Sequence, residues 1–200
     1  MLLIPNRNMK KLIFASSNEN KVREIRSLLP EGFELLSLND LSYPHEIPET
    51  ADTFAGNALI KARTIAEYFQ LPCFADDSGL EVEALNGAPG VFSARYAGEP
   101  KNDLNNLNLL LRNMEGLSNR KARFVTVIAW LDGQEECLFE GTVNGQITEY
   151  PKGSEGFGYD PVFVPEHESR SFAEMSLKEK NKYSHRARAF LDFTAFLEKN

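Results

Sequence analysis

The chain is organised around the stretch Phe74-Ala75-Asp76-Asp77-Ser78-Gly79-Leu80, which sets two adjacent carboxylates and a hydroxyl between two apolar runs. Adjacent carboxylates repel each other, so such a pair is most useful where a divalent cation or a shared proton offsets the charge. Asp, Ser and Gly are also ordinary turn residues, because Asp and Ser bond nearby backbone and Gly accepts positive φ. The stretch therefore predicts a turn at the end of a strand, with Leu80-Glu81-Val82 as a hairpin partner. Taken alone, it leaves open whether the pair is a site or only a turn.

The segment before this stretch predicts a long helix. Residues 52–69 carry an apolar stripe at helical spacing. Asn57 and Lys61 are four residues apart and lie on one side of that helix, where either could face a cavity or water. After the stretch, Arg95 follows a Gly/Pro loop, and it is either an anion ligand or a structural ion-pair partner.

Two further helices are predicted to begin with a cation. Asn18 is the predicted N-cap of the first helix, which follows a buried strand and a polar loop and has Lys21 in its first turn. Ser184 is the predicted N-cap of the last helix, with His185 and Arg186 in its first turn. A cation at a helix start opposes the helix dipole. Either a shared anionic or carbonyl-bearing ligand offsets both starts, or both are exposed to solvent.

The second half of the chain predicts a hairpin and a glycine-rich loop. Residues 124–131 and 136–143 flank Asp132-Gly133, a pair that suits a turn requiring positive φ. Residues 153–161 set three glycines around two aromatic rings and an acid. Such a loop suits a flat ligand such as a purine, and packing on a neighbouring lobe explains it nearly as well.

The composition limits the class of protein. With 200 residues and 42% hydrophobic content, the chain is large enough for one domain, expected at residues 9–200, with residues 1–8 as an N-terminal extension or an alternative start. A net charge of −7 argues against binding to a nucleic acid polymer. An anionic small ligand would need local lysines and a metal. No apolar run approaches the roughly 20 residues of a membrane span, and the two cysteines are far apart, so we expect a cytoplasmic protein with reduced thiols.

Five separated motifs, in order over about residues 9–197, together resemble those of the inosine triphosphate pyrophosphatase family. The motifs are Ser16-Ser17-Asn18-Glu19-Asn20-Lys21, Glu49-Thr50 with Asn57 and Lys61, Ala75-Asp76-Asp77-Ser78-Gly79-Leu80, Phe157-Gly158-Tyr159-Asp160-Pro161, and Ser184-His185-Arg186. The resemblance implies hydrolysis of deaminated purine nucleoside triphosphates, namely ITP, XTP and their deoxy forms, to the monophosphate and pyrophosphate. It also implies an α/β fold with a mixed central sheet flanked by helices, two lobes with the active-site cleft between them, and a homodimer.

The resemblance also assigns roles to individual residues. Asp77 is expected to be the catalytic carboxylate and a Mg²⁺ ligand, and Glu49 and Asp76 are expected to assist with metal or water. The expected substrate contacts are Ser16, Ser17, Asn18, Glu19, Asn20 and Lys21 around the triphosphate, with Asn57, Lys61 and Ser78 beside it, and Phe157, Gly158, Tyr159, Asp160, Lys180, His185 and Arg186 around the base, the sugar and the remaining phosphate contacts.

Two other functions remain open at this point. One is a house-cleaning pyrophosphatase for modified pyrimidine nucleotides, and the other is a nucleotide-binding regulator without turnover. The carboxylates Glu49, Asp76 and Asp77, together with Lys21, argue against a regulator, since a pure binder has little need for a carboxylate cluster beside phosphates. Donors near His185 and Arg186 would favour a 6-keto purine over adenine. No residue is identified that would reject GTP.

Overall fold

The computed structural model describes residues 9–133 and 135–199, so the expectation for residues 1–8 lies outside the described residues. Strands and helices alternate over the first part of the chain, and a long hairpin follows. The elements are β1 (Lys10–Phe14), α1 (Glu19–Leu28), β2 (Phe33–Ser37), α2 (Phe54–Phe69), β3 (Cys73–Val82), α3 (Asp103–Asn113), β4 (Lys121–Asp132), β5 (Glu135–Ile147), β6 (Phe163–Pro165), α4 (Leu177–Lys180) and α5 (His185–Leu197).

The strands form one mixed sheet in the order β2-β1-β3-β4-β5-β6. Strand β1 is parallel to β2 and β3, and the pairs from β3 to β6 are antiparallel. Helix α2 packs on β3 and β4, while α5 packs on β4 and β5 and also contacts α1. The predicted mixed sheet flanked by helices is therefore confirmed.

The apolar residues form separate cores that give the molecule two lobes. One lobe contains a core around Phe14, Phe74 and Phe193 beneath α1 and α5, and a core around Ala62 and Ile65 beneath α2. The second lobe contains a core built from the far ends of β3 to β5, α3 and β6, with members such as Leu80, Leu110, Met114, Phe163 and Phe172. The cleft described below lies between these lobes.

The predicted turn at Asp76 to Gly79 is wrong, because β3 runs without interruption through these residues. It pairs antiparallel with β4 along its whole length, from Cys73 opposite Leu131 to Val82 opposite Ala122. Residues 80–82 therefore continue the same strand and are not its hairpin partner. Gly79 is needed for a close approach: a Cβ there would lie 2.3 Å from the carbonyl oxygen of Gly90.

Other local predictions are confirmed. Asn18 caps α1 by accepting hydrogen bonds from the backbone N–H groups of Asn20 and Lys21, and Ser184 caps α5. The hairpin turns between Asp132 and Glu135, where Gly133 has a φ of +60°. These features depend on residues close together in the chain, which is why sequence alone predicts them.

Candidate active site

Asp76 and Asp77 lie in the middle of β3 and point to opposite faces of the sheet, because successive side chains alternate along a strand. Asp77 faces α2, where it meets Asn57 and Lys61. Asp76 faces the starts of α1 and α5, where it meets Lys21 and Arg186. Both carboxylates are nearly inaccessible to solvent, at 1% and 5% exposure for Asp76 and Asp77 respectively. The two carboxylates therefore lie in separate environments, one on each face of the sheet.

On the α2 face, Asp77 is held by two donors from one side of the helix. Asn57 Nδ2 donates to Asp77 Oδ2 at 3.1 Å, and Lys61 Nζ donates to Asp77 Oδ1 at 3.3 Å. The i, i+4 spacing predicted this common side; both side chains are buried, and Lys61 reaches the wall of the cleft. Burial raises the pKa of Asp77, and Glu49 adds to this, whereas Lys61 and Lys21 lower it. A carboxylate with a raised pKa is suited to accept a proton near neutral pH.

Glu49 shares Lys61 with Asp77. Lys61 Nζ donates to Glu49 Oε1 at 2.7 Å and so bridges the two carboxylates. Burial alone would raise the pKa of Glu49, but Lys61, Lys21 and Arg95 lower it to about 2. Although burial opposes it, Asp77 and Glu49 raise the pKa of Lys61, which therefore stays charged.

The same two carboxylates offer the oxygen donors that Mg²⁺ prefers. The Lys61 ammonium group already lies between them, which indicates that this position favours a cation. Asp76 lies on the other face of β3, and the described residues contain no group of three or more His, Cys, Asp or Glu side chains arranged to hold a metal ion. Glu49 and Asp77 fit Mg²⁺ by their chemistry, whereas Asp76 is already bonded to protein cations.

On the opposite face, Asp76 is the anion that offsets both cationic helix starts. Lys21 Nζ donates to Asp76 Oδ1 at 3.0 Å, and Arg186 Nε donates to Asp76 Oδ2 at 3.1 Å. Ser78 Oγ donates to Asp76 Oδ2 at 2.8 Å and accepts from Arg186 Nη2 at 3.0 Å. Burial would raise the pKa of Asp76, but Lys21 and Arg186 hold it below its ordinary value. The positive charges of Lys21 and Arg186, which were expected to be offset by a ligand, are therefore offset in part by Asp76 of the protein itself.

Glu24 is a buried charged residue that the sequence analysis missed. Its carboxylate accepts from Lys180 Nζ at 2.7 Å and from Arg186 Nη1, and its side chain is 4% exposed. Lys180 Nζ also donates to Asp160 Oδ2 at 2.6 Å. Its place in the sequence could have indicated this burial, because Glu24 lies between Val22 and Ile25, the other buried residues of α1.

His185 and Phe157 form the aromatic end of the cleft. The His185 ring stacks on Phe124 with ring centroids 4.6 Å apart, and its Nδ1 has no hydrogen-bond partner among the described residues. Burial, with help from Arg186 and Lys180, lowers the pKa of His185 well below its ordinary value, so the ring is neutral. The Phe157 ring lies near Lys180 and Arg186, at 5.2 and 5.8 Å from its centroid.

One cleft brings most of the predicted site residues together. Glu19 and Asn20 do not line it: Glu19 accepts from Asn39, and Asn20 accepts from Arg23. Asn57 and Asp76 lie behind the cleft wall and bond to its members. The predicted residues that line the cleft are Ser16, Ser17, Asn18, Lys21, Glu49, Lys61, Asp77, Ser78, Phe157, Gly158, Tyr159, Asp160, Lys180, His185 and Arg186.

The fold and the cleft define a class of protein: a two-lobed α/β protein whose cleft combines carboxylates, several cations and an aromatic end, as an anionic ligand with a flat ring would require. Comparison with known families then identifies the chain. The sequence model of the Ham1 family matches residues 12–196, and the chain belongs to this family.

Individual relatives agree with this assignment and confirm the expected resemblance. The dITP/XTP pyrophosphatase of Flavobacterium johnsoniae is 51% identical over 179 residues, covering 90% of this chain and 93% of that protein. The dITP/XTP pyrophosphatase of Porphyromonas gingivalis is 51% identical over 190 residues, covering 94% and 98%. Among solved structures, a HAM1 protein from Coxiella burnetii superposes with a TM-score of 0.86 at 40% identity, covering 96% of this chain and 100% of that one.

Proposed function

We propose that this protein hydrolyses deaminated purine nucleoside triphosphates, ITP, XTP and their deoxy forms, to the nucleoside monophosphate and pyrophosphate. The observation that carries the proposal is the position of Asp77, a buried carboxylate with a raised pKa in a cleft whose walls also present Lys21, Lys61 and Arg186. The proposal is supported by family membership and by relatives named dITP/XTP pyrophosphatase.

In this proposal the residues of the α2 face perform the chemistry. Asp77 orients a water molecule and accepts its proton as the water attacks phosphorus, and pyrophosphate leaves. Asn57 fixes one oxygen of Asp77 while Lys61 neutralises phosphate charge. Glu49 and Asp77 would hold Mg²⁺, and Asp76 assists from the other face of β3 by holding Lys21 at the cleft wall. When bound, the metal would offset the charge of the triphosphate and polarise its oxygens.

The remaining cleft residues bind the substrate. The loop from Ser16 to Asn18 offers serine hydroxyl groups to the phosphates, and Lys21 in the first turn of α1 adds a positive charge. We assign the aromatic end to the base, where the Phe157 ring offers a flat face and where His185 and Arg186 would read the 6-keto group. The side chains of Glu19 and Asn20 are bonded elsewhere, and the backbone N–H of Asn20 donates to Asn18 Oδ1, so we assign these two residues to shaping the α1 start beside the phosphates.

The wider setting is also part of the proposal. None of the helices in the described ranges combines the length and the apolar composition that crossing a membrane requires. We propose a cytoplasmic homodimer in which residues 9–200 act as one domain and residues 1–8 are an extension or an alternative start.

The direct test measures pyrophosphate release from dITP, XTP, GTP, ATP and dTTP with Mg²⁺. We expect release from dITP and XTP to exceed release from the three standard nucleotides, because donors at His185 and Arg186 would favour a 6-keto group over the 6-amino group of ATP, and because the relatives are named dITP/XTP pyrophosphatases. Equal or faster hydrolysis of GTP would contradict the base assignment. Faster hydrolysis of pyrimidine substrates would favour the modified-pyrimidine alternative, and binding without turnover would favour the regulator.

A further inference from the structure

Glu49 is held by two cations that approach from different parts of the chain. Lys61 contacts one carboxylate oxygen, and Arg95 Nη1 donates to the other, Oε2, at 2.9 Å. Arg95 Nη2 also donates to the backbone carbonyl oxygen of Glu49 at 3.3 Å. Arg95 therefore donates hydrogen bonds to both the side chain and the main chain of Glu49.

These hydrogen bonds from Arg95 are important because the backbone of Glu49 is not part of a helix or a strand. It lies between β2 and α2, in a segment without a regular helix or strand. Its neighbour Ala51 is tied to Asn57 by one hydrogen bond of 2.9 Å from Ala51 N to Asn57 Oδ1. A carboxylate on such a segment needs an external partner to keep one orientation.

Arg95 is itself fixed to the strand that carries Asp77. It ends a 3₁₀ turn over Gly90–Arg95, called here the 90–95 turn. Ser93 Oγ accepts from the backbone N–H of Leu80 at 2.9 Å and donates to the carbonyl of Gly90 at 2.6 Å. The turn can approach this closely because Gly79 has no side chain. The 90–95 turn, and with it Arg95, is therefore fixed to β3 at Gly79 and Leu80, two and three residues after Asp77.

The alternative role for Arg95 is direct contact with an anionic substrate. Both of its terminal nitrogens are directed at Glu49, and Arg95 is not among the described residues that line the cleft. Its side chain is 22% exposed, so it is partly shielded from water. These observations favour a role that acts through Glu49.

We propose that Arg95 is the positioning residue that orients Glu49 toward Asp77 for binding a divalent cation. This inference rests on the proposed function and adds a residue to it. Lys61 contacts Oε1 of Glu49 and Arg95 contacts Oε2. A divalent cation that binds beside Asp77 therefore finds the Glu49 carboxylate already held in one orientation. Loss of such an outer partner lowers metal affinity or activity by about 10- to 100-fold in other metal sites.

The test compares Arg95→Gln and Arg95→Lys with the original protein in two measurements. The first is the Mg²⁺ concentration that gives half-maximal pyrophosphate release from dITP. The second is the dissociation constant of the non-hydrolysable analogue α,β-imido-dITP, measured by calorimetry with and without Mg²⁺. Arg63→Gln is the matched control, because Arg63 forms a two-pronged pair with Glu136 on the exposed side of α2, away from the cleft.

We expect Arg95→Gln to raise the half-maximal Mg²⁺ concentration by about tenfold or more, and to reduce the gain in analogue affinity that Mg²⁺ provides. Its metal-free affinity should stay unchanged. Arg95→Lys should show a smaller effect of the same kind, because one ammonium group cannot reach both acceptors as the planar guanidinium does. Arg63→Gln should resemble the original protein in both measurements.

Two outcomes would overturn the inference. Equal weakening of analogue binding with and without Mg²⁺ would make Arg95 a substrate contact or a purely structural residue, and unchanged Mg²⁺ dependence in both variants would remove it from the site. Arg95→Lys keeps the positive charge on a long side chain, so it supplies the answer if Arg95→Gln fails to fold. Failure of the proposed function is seen separately, as absence of pyrophosphate release from dITP by the original protein.

Discussion

At the scale of single residues, two identical neighbours acquire different chemistry from the pleat of one strand. Asp76 meets Lys21 and Arg186, which keep it ionised, while Asp77 meets Asn57 and Lys61 at the cleft. The pKa of Asp76 is lowered and that of Asp77 is raised. Environments that separate the pKa values of two acids in this way commonly assign them separate roles.

Replacing Asp77 by Asn should abolish most turnover and leave nucleotide binding in place. The amide keeps the shape of the side chain but cannot accept a proton from water, so we expect kcat to fall by about 10²- to 10⁴-fold. Binding of α,β-imido-dITP, measured by calorimetry without metal, should change little. Asp192→Asn, at an exposed position of α5, is the control. A normal kcat in Asp77→Asn would remove Asp77 from the chemistry.

His185 should make the protein less stable in mild acid. Its folded pKa lies well below 6.5 because of burial, with Arg186 and Lys180 adding to the effect and Asp76 opposing it. Below the unfolded pKa, only the unfolded chain takes up this proton, so stability falls as pH decreases through about 6.5. Urea unfolding at pH 7.5 and 5.5 should show that the original protein loses about 1.4 kcal/mol more than His185→Gln. Parallel losses in both proteins would contradict this.

At the scale of elements, Gly79 determines how the 90–95 turn docks on β3. A Cβ at this position would lie 2.6 Å from Ser93 Oγ and 2.8 Å from a ring carbon of Phe54, as well as against Gly90. Gly79→Ala should therefore lower the free energy of unfolding by about 1–3 kcal/mol, as overpacking does. It should also raise the Mg²⁺ requirement, since Arg95 moves with the turn. Unchanged stability would show that the turn is not fixed here.

The elements also show which features a sequence can predict. The caps at Asn18 and Ser184 and the turn at Asp132-Gly133 depend on neighbours within a few residues, and these predictions are confirmed. The strand through Asp76 and Asp77 depends on β4, α1, α2 and α5, which lie far away in the chain. Local pattern favours a turn for these residues, and only tertiary partners make the strand possible.

At the scale of the whole molecule, a buried network of charges ties together elements from both ends of the chain. Its cations are Lys21, Lys180 and Arg186, and its carboxylates are Asp76, Asp160 and Glu24. The network is balanced although the chain carries a net charge of −7, so the total charge gives no information about it. Glu24 joins α1 to both α4 and α5, through Lys180 and Arg186.

Glu24→Gln should therefore weaken the whole fold. A neutral amide leaves Lys180 and Arg186 with less compensation in a site where Glu24 is 3% exposed, and removing one partner from a buried ion pair costs about 3–5 kcal/mol. Urea unfolding at neutral pH should show a loss of that order. Glu136→Gln removes the carboxylate from an ion pair with Arg63 at the surface, and it should cause a much smaller change. Equal effects of the two substitutions would show that the fold does not depend on the buried network. A selective loss in Glu24→Gln, together with a higher KM for dITP, would show that the same network stabilises the fold and orients the cations of the cleft.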